Sequence, residues 1–382
     1  MEQLNGFTAK NYQPSYWAEL IEQSGARYAV LTTRHHDGVA LWDTQMDGGT
    51  STVEDTPAAR DLVTPFVDAL RDNNIKVGLY YSLSNWSHNK YDQFKRDEKR
   101  YDVEDHPERW EQYLEYMDGQ IHELATQFNP DLWWFDGDWE HSAEQWDARG
   151  IRNYILKTNP DAIINSRLAG YGDYSTPEQG VPVYGPNAKY WELCLTINGS
   201  WGYQPTDNTH KTSYQVIRIF SDMIGNGGNL LLDIAPRADG SIPEIQAKVL
   251  QELGAWIDRN ETGIYGTREG IPLEYFYGPT TLSPDRTRLY LFADNLSDRP
   301  VILKGIQNKI RSIRVVNTGN KLDFERKGAI DWAGYPGILY TTIPESERDK
   351  YLTVLEVTLD SPLKLFKKYG KNADKEVVTQ SD

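Results

Sequence analysis

Over roughly the first 260 residues, short apolar runs of strand length alternate with stretches whose apolar positions recur at helical spacing. The runs are Arg27-Tyr-Ala-Val-Leu-Thr-Thr33, Lys76–Ser82, Asp131–Asp136, Ala162–Arg167, Tyr190–Leu195 and Leu230–Ala235. Between them, the spacing predicts helices over 15–24, 58–73, 105–128, 143–157, 212–225 and 244–259. The helix over 105–128 carries the clearest stripe, Trp110, Tyr113, Met117, Ile121, Leu124 and Phe128, ended by Asn129-Pro130. Strand–helix alternation on this scale predicts an α/β fold with a parallel sheet, most simply a TIM-like (β/α) barrel.

From about residue 270 the rhythm changes. Arg288–Ala293, Val301–Leu303, Ile313–Val316, Gly337–Thr342 and Tyr351–Thr358 are short, β-rich and separated by turn residues, the pattern of a C-terminal β-sandwich. The expected division is a barrel domain over 1–268, a sandwich over 269–371 and a charged, mobile tail over 372–382.

Composition narrows the partners. The chain has 382 residues, 40 Lys and Arg against 56 Asp and Glu, and a formal charge of −16, which argues against nucleic acid or an anionic membrane surface. A single cysteine, Cys194, cannot close a disulfide within the chain and leaves the redox compartment open. No apolar run approaches the roughly 20 residues that span a bilayer. The N-terminus lacks a basic region and an apolar core, so the sequence as written reads as soluble and unexported. Twelve Trp and 24 Tyr shift expectation modestly toward carbohydrate, because sugar faces stack on rings, although large aromatics also fill cores.

The stretch Asp131-Leu-Trp-Trp-Phe-Asp136-Gly-Asp138-Trp-Glu140 carries the strongest chemical signal. An apolar strand ends there in a carboxylate and a glycine, the way a barrel presents an acid at its mouth; equally, Asp136 can cap the turn into the next helix. His35-His36-Asp37-Gly38 follows another strand. Adjacent strand residues point to opposite faces, so the two imidazoles can meet one ligand only where the strand has broken, which Asp37-Gly38 permits. The other histidines, at 88, 106, 122, 141 and 210, form no H-x-x-x-H, so hydrogen bonding to hydroxyls is expected in place of a metal site. Further acids at strand ends or in the loops after them are Asp138, Glu140, Asp173, Glu178, Glu192 and Asp233. Glycoside cleavage needs two carboxyls, one ionised and one protonated. Arg167 reads either as a ligand clamp or as the partner of one of these acids. Gly225-Asn-Gly-Gly-Asn229 precedes a strand and lacks a following Lys-Ser/Thr, so it is a turn and not a phosphate loop.

Together these segments resemble a known family. Thr32-Thr-Arg-His35-His36-Asp37-Gly38-Val-Ala-Leu-Trp42-Asp is similar to the His-His-Asp-Gly signature of glycoside hydrolase family 29, the retaining α-L-fucosidases. Leu132–Trp139 resembles that family's nucleophile strand, and Thr176-Pro-Glu178 the segment that often supplies its acid/base. Trp191-Glu192, Ser200–Tyr203, Gly227–Pro236 and Asp239–Pro243 follow in the family's order, so the likeness spans about 7–270. It implies Asp136 as nucleophile and Glu178 as acid/base, with Glu192 the second choice and Glu54 the third. It further implies His35 and His36 on the sugar hydroxyls with Trp42 beside them, Tyr81 near the nucleophile, and Trp134 and Arg167 lining the pocket. It implies no cofactor and no metal, and a fucosylated oligosaccharide or glycoconjugate as partner.

The family usually starts with a barrel strand ending in His-Trp-Gly, and nothing before Phe7 resembles it. The expectation is therefore a barrel lacking its first strand, with exposed neighbouring edges and three possible origins: truncation of the sequence, closure by another element, or weakened activity. Truncation would also remove an export signal, which leaves the localisation unknown; the oligomeric state is open as well. The alternatives to a fucosidase are a relative acting on a related sugar such as L-galactose, and a barrel that binds fucosylated glycans without cleaving them.

Overall fold

The computed structural model describes residues 2–294 and 299–366; the tail expected to be mobile, 372–382, lies outside the described residues. Two compact units share the chain, one made of 1–182, 186–211 and 231–255, the other of 183–185, 212–230 and 256–382.

The first unit is built on parallel strands. Tyr28–Arg34, Lys76–Ser82, Leu132–Asp136 and Ile163–Ile164 lie side by side in that order. The sheet then continues through parallel bridges, Asn165 to Tyr174, Ser175 to Trp191 and Glu178 to Cys194. These insert the segment 174–178 beside Glu192–Thr196, which in turn pairs with Asn229–Asp233. Among the described residues no backbone pairing joins Tyr28–Arg34 to Asn229–Asp233. Tyr28 to Leu31 and Leu230 to Asp233 are only half-buried, whereas every residue of Leu132–Asp136 and Glu192–Thr196 is buried, the difference expected between the ends and the middle of an open arc of strands.

Local chemistry sets where the helices start. The helix expected from residue 58 begins at Val63, because the Asp61 carboxylate accepts the amides of Val63 (2.7 Å) and Thr64 (3.0 Å) and so satisfies the free N–H groups of the first turn. The helix expected from 143 begins at Ala148, with Asp147 in the left-handed region (φ 46°) and its side chain on the Gly150 amide. Pro107–Phe128 ends at Asn129 in the left-handed region, as Asn129-Pro130 implied. Asp131 ties two strands together through Lys76 Nζ (2.6 Å) and the Val77 amide (2.9 Å). The strand expected over 162–167 shortens to Ile163–Ile164. Asn165 turns its side chain onto the backbone N–H and C=O of Phe135 at 2.9 Å each, and Arg167 is left in a turn.

In the second unit, six strands, from Arg268–Glu269 to Leu352–Leu359, form one antiparallel sheet, and Val301–Lys304, Phe324–Lys327 and Ile338–Thr341 form another. A shared apolar core that includes Leu289, Leu291, Ile313, Leu339, Leu355 and Val357 joins them, as in a sandwich.

Candidate active site

Asp136 closes the strand Leu132–Asp136 and is 7% exposed. Gly137 follows with φ +80°, and a Cβ there would lie 2.5 Å from Ser84 Oγ, so the turn that lifts the chain off the strand requires glycine. Each carboxylate oxygen has its own donor. Arg167 Nη1 donates to Oδ1 at 3.0 Å and the Tyr80 hydroxyl to Oδ2 at 2.7 Å. His36 Nε2 lies 3.5 Å from the same Oδ2.

Arg167 also donates through Nη2 to Glu178 Oε2 and through Nε to Thr176 Oγ1 (3.2 Å). One guanidinium therefore bridges both carboxylates. The Glu178 side chain is 40% exposed, on the segment 174–178 that runs beside Glu192–Thr196.

His36 is buried, and burial, with His35 next, lowers its pKa to about 4 in spite of Asp136; the ring is neutral at pH 7. Its Nδ1 faces the hydroxyls of Ser82 (2.6 Å) and Ser84 (2.8 Å). A neutral ring that accepts a serine proton at Nδ1 presents N–H at Nε2 toward Asp136. His35, exposed, lies 4.3 Å from His36 and stacks on Tyr80 (5.7 Å, 13°), which stacks on Trp134 (5.4 Å, 17°). Arg167 covers the Trp134 ring at 4.5 Å. Ligand atoms of His35, His36 and Asp136 lie within 4.8 Å of one another, but both oxygens of Asp136 already accept from Arg167 and Tyr80. An arginine is a poor neighbour for a cation, and the donor set suits a hydroxylated ligand better.

Of the residues singled out from the sequence, His35, His36, Trp134, Asp136, Arg167 and Glu178 gather here. Two do not. Tyr81 points to the opposite face of its strand, where its hydroxyl meets Gln120 Oε1 (3.0 Å) under the Arg34 guanidinium; Tyr80 takes the place beside Asp136, because successive strand residues alternate. Trp42 is fully buried and donates to Glu123 Oε2 at 3.0 Å. Glu192 is 2% exposed and accepts from Trp134 Nε1 (3.1 Å) and from the Tyr28 hydroxyl. Burial raises its pKa, and both oxygens are engaged. Glu54 sits exposed in a turn. Asp138 accepts the Ala169 amide, Glu140 accepts from Trp86 and Tyr91, and Asp173 pairs with Arg152. Sequence reasoning missed Tyr80, Ser82 and Ser84, and only strand register could have found them.

A family model described as alpha-L-fucosidase matches residues 1–262. An alpha-L-fucosidase of Branchiostoma floridae is 31% identical over 277 residues, 69% of this chain and 59% of that protein; the chain thus spans about three fifths of this relative's length. The structure of alpha-L-fucosidase isoenzyme 1 from Paenibacillus thiaminolyticus superposes with a TM-score of 0.84 at 31% identity, covering 94% of this chain and 89% of that one. A family 29 alpha-L-fucosidase from Bacteroides thetaiotaomicron, trapped as a covalent intermediate with 2-fluoro-fucosyl fluoride, shares the fold at TM-score 0.79 and 23% identity, over 94% and 85% of the two chains. The parallel strands and helices of the first unit and the two sheets of the second are accordingly a TIM-like barrel and a C-terminal sandwich.

Proposed function

We propose, because the chain belongs to the α-L-fucosidase family, that it hydrolyses terminal α-L-fucosyl residues from glycans by double displacement. The observation that carries this reading is the single Arg167 guanidinium shared by Asp136 and Glu178. It supports one carboxylate, Asp136, held by two donors and linked through the guanidinium to a second, more exposed carboxyl.

In the first step an Asp136 oxygen attacks the anomeric carbon, the glycosidic C–O bond breaks, and Glu178 gives its proton to the leaving oxygen. In the second, Glu178 takes a proton from water, the water oxygen attacks the same carbon and the carboxylate leaves. The transition state carries oxocarbenium character, so the anion at 136 stabilises it electrostatically in a largely buried site. Neutral His36 and exposed His35 suit sugar hydroxyls, and the ring column of His35, Tyr80 and Trp134 offers an apolar wall for a 6-deoxy sugar. The proposal keeps the barrel within 1–268 and the sandwich within 269–371. No helix among the described residues is long and apolar enough to cross a membrane.

The test is turnover of an aryl α-L-fucoside. Activity in the parent protein that falls by about a thousand-fold or more in Asp136→Ala, and returns with azide in Asp136→Gly, supports the nucleophile. Binding of fucose without turnover supports instead a barrel that only holds fucosylated glycans, and faster cleavage of an aryl α-L-galactoside supports the related-sugar reading.

A further inference from the structure

A cavity of about 830 Å³ opens beside the site, lined by Gln93, Arg96, Asp97, Lys99, Trp139 and Glu140. Its floor is joined directly to the catalytic groups. Gly137 turns the chain out of the Asp136 strand into the short helix Asp138–Glu140, and the half-exposed Trp139 ring meets His36 edge-on at 5.7 Å and 80°. Its wall is the hairpin Gln93–Lys95 and Glu98–Lys99, with Arg96 and Asp97 at the turn and Asp97 in the left-handed region (φ 62°). The Arg96 guanidinium lies 5.2 Å from the centre of the Trp139 ring.

The hairpin is held from below. Arg100 donates to the carbonyls of Trp86, Tyr91 and Gln93, and Glu140 accepts from Trp86 Nε1 and the Tyr91 hydroxyl. Trp86 in turn packs on His36 at 4.9 Å. Charges around the rim are mostly neutralised locally, Lys95 by Glu98 and Lys99 by Asp102. Among the described residues Arg96 and Asp97 have no ion-pair partner. A half-exposed indole flanked by a guanidinium and a carboxylate that no ion pair engages is what a neutral pyranose uses, its C–H face on the ring and its hydroxyls on the charged pair.

We infer that Trp139, Arg96 and Asp97 form a second sugar subsite that holds a neutral pyranose of the glycan next to the residue bound at Asp136. This rests on the fucosidase reading, and the two are separable by experiment. Parent protein that cleaves neither an aryl α-L-fucoside nor a fucosyl-lactose overturns the fucosidase reading alone. The subsite is read from the ratio of kcat/KM for fucosyl-lactose to that for the aryl fucoside. Arg96→Ala and Asp97→Asn should each lower that ratio about five- to ten-fold, mainly through KM for the oligosaccharide. An equal loss on both substrates, or no loss, overturns the subsite. Because Trp139 touches His36, Trp139→Ala is read by binding. Lactose should saturably change the tryptophan fluorescence of the parent and not of this variant, whether or not the protein turns over. No response in the parent, or the same response in both, overturns the inference. Cleavage of a sulfated fucosyl-lactose in clear preference to the neutral one likewise overturns it, in favour of an anionic ligand.

Discussion

Tyr80 and Asp136 stand on neighbouring parallel strands and are joined by a 2.7 Å hydrogen bond from the phenol to Oδ2. Desolvation, then the carboxylate itself, pushes the Tyr80 pKa well up, so the phenol keeps its proton and stays a donor.

Tyr80→Phe removes a donor to an ionised group, an interaction of about 1.5–3 kcal/mol; kcat on an aryl α-L-fucoside should change ten-fold or more. Tyr81→Phe should leave kcat within about two-fold and instead lower stability by about 1 kcal/mol, through the lost bond to Gln120. Steady-state kinetics beside urea unfolding of both variants checks the pair, and the reverse pattern would return Tyr81 to the site.

Glu178→Ala should slow substrates with poor leaving groups by a hundred-fold or more and activated aryl fucosides far less, because only the former need the proton. In Glu192→Gln the new amide cannot accept from both Trp134 and Tyr28, so a stability loss of about 1–3 kcal/mol is expected, with no dependence on leaving group. A leaving-group dependence found in Glu192→Gln and missing from Glu178→Ala moves the acid role to 192.

Asp233 is half-buried, but its Oδ2 is shut off from solvent with no hydrogen-bond partner among the described residues, and burial raises its pKa to about 8. The sign follows from the proton balance. Above about pH 4 the unfolded chain ionises this group while the folded one retains the proton, so stability falls as pH rises and levels off above about pH 8. The effect is on the order of several kcal/mol. Asp233→Asn should flatten the pH dependence of the unfolding free energy between pH 5 and 8; an unchanged slope would show that the carboxyl finds a partner or water.

Arg34 is fully buried, with Gln120 Oε1 at 2.9 Å, the Ser82 carbonyl and the Tyr81 ring as its surroundings. Arg34→Met strands those acceptors and should cost about 2–4 kcal/mol. Since Ser82 and Ser84 also hold His36, KM for the fucoside should rise. A urea midpoint unchanged from the parent would contradict this.

Much of this protein was legible from one-dimensional pattern. Strand and helix periods gave the order of elements through residue 260 and the change to a sandwich after it, because burial of one face imposes a spacing that local sequence records. Asp136, Arg167 and the histidine pair were legible for a related reason: each sits where an apolar run stops, and a polar side chain there must face a ligand or a partner. What stayed hidden depended on register and on what lies across space. Neighbours 80 and 81 are both tyrosines in a β-rich run, and only the pairing of that strand with Leu132–Asp136 decides which phenol meets the carboxylate. Trp42 follows the histidine motif closely, yet Glu123, eighty-one residues away, draws its indole into the core. Glu178 and Glu192 look alike as letters; packing buried one between two donors and left the other in reach of Arg167, because desolvation and partner geometry belong to the folded chain and not to the residue.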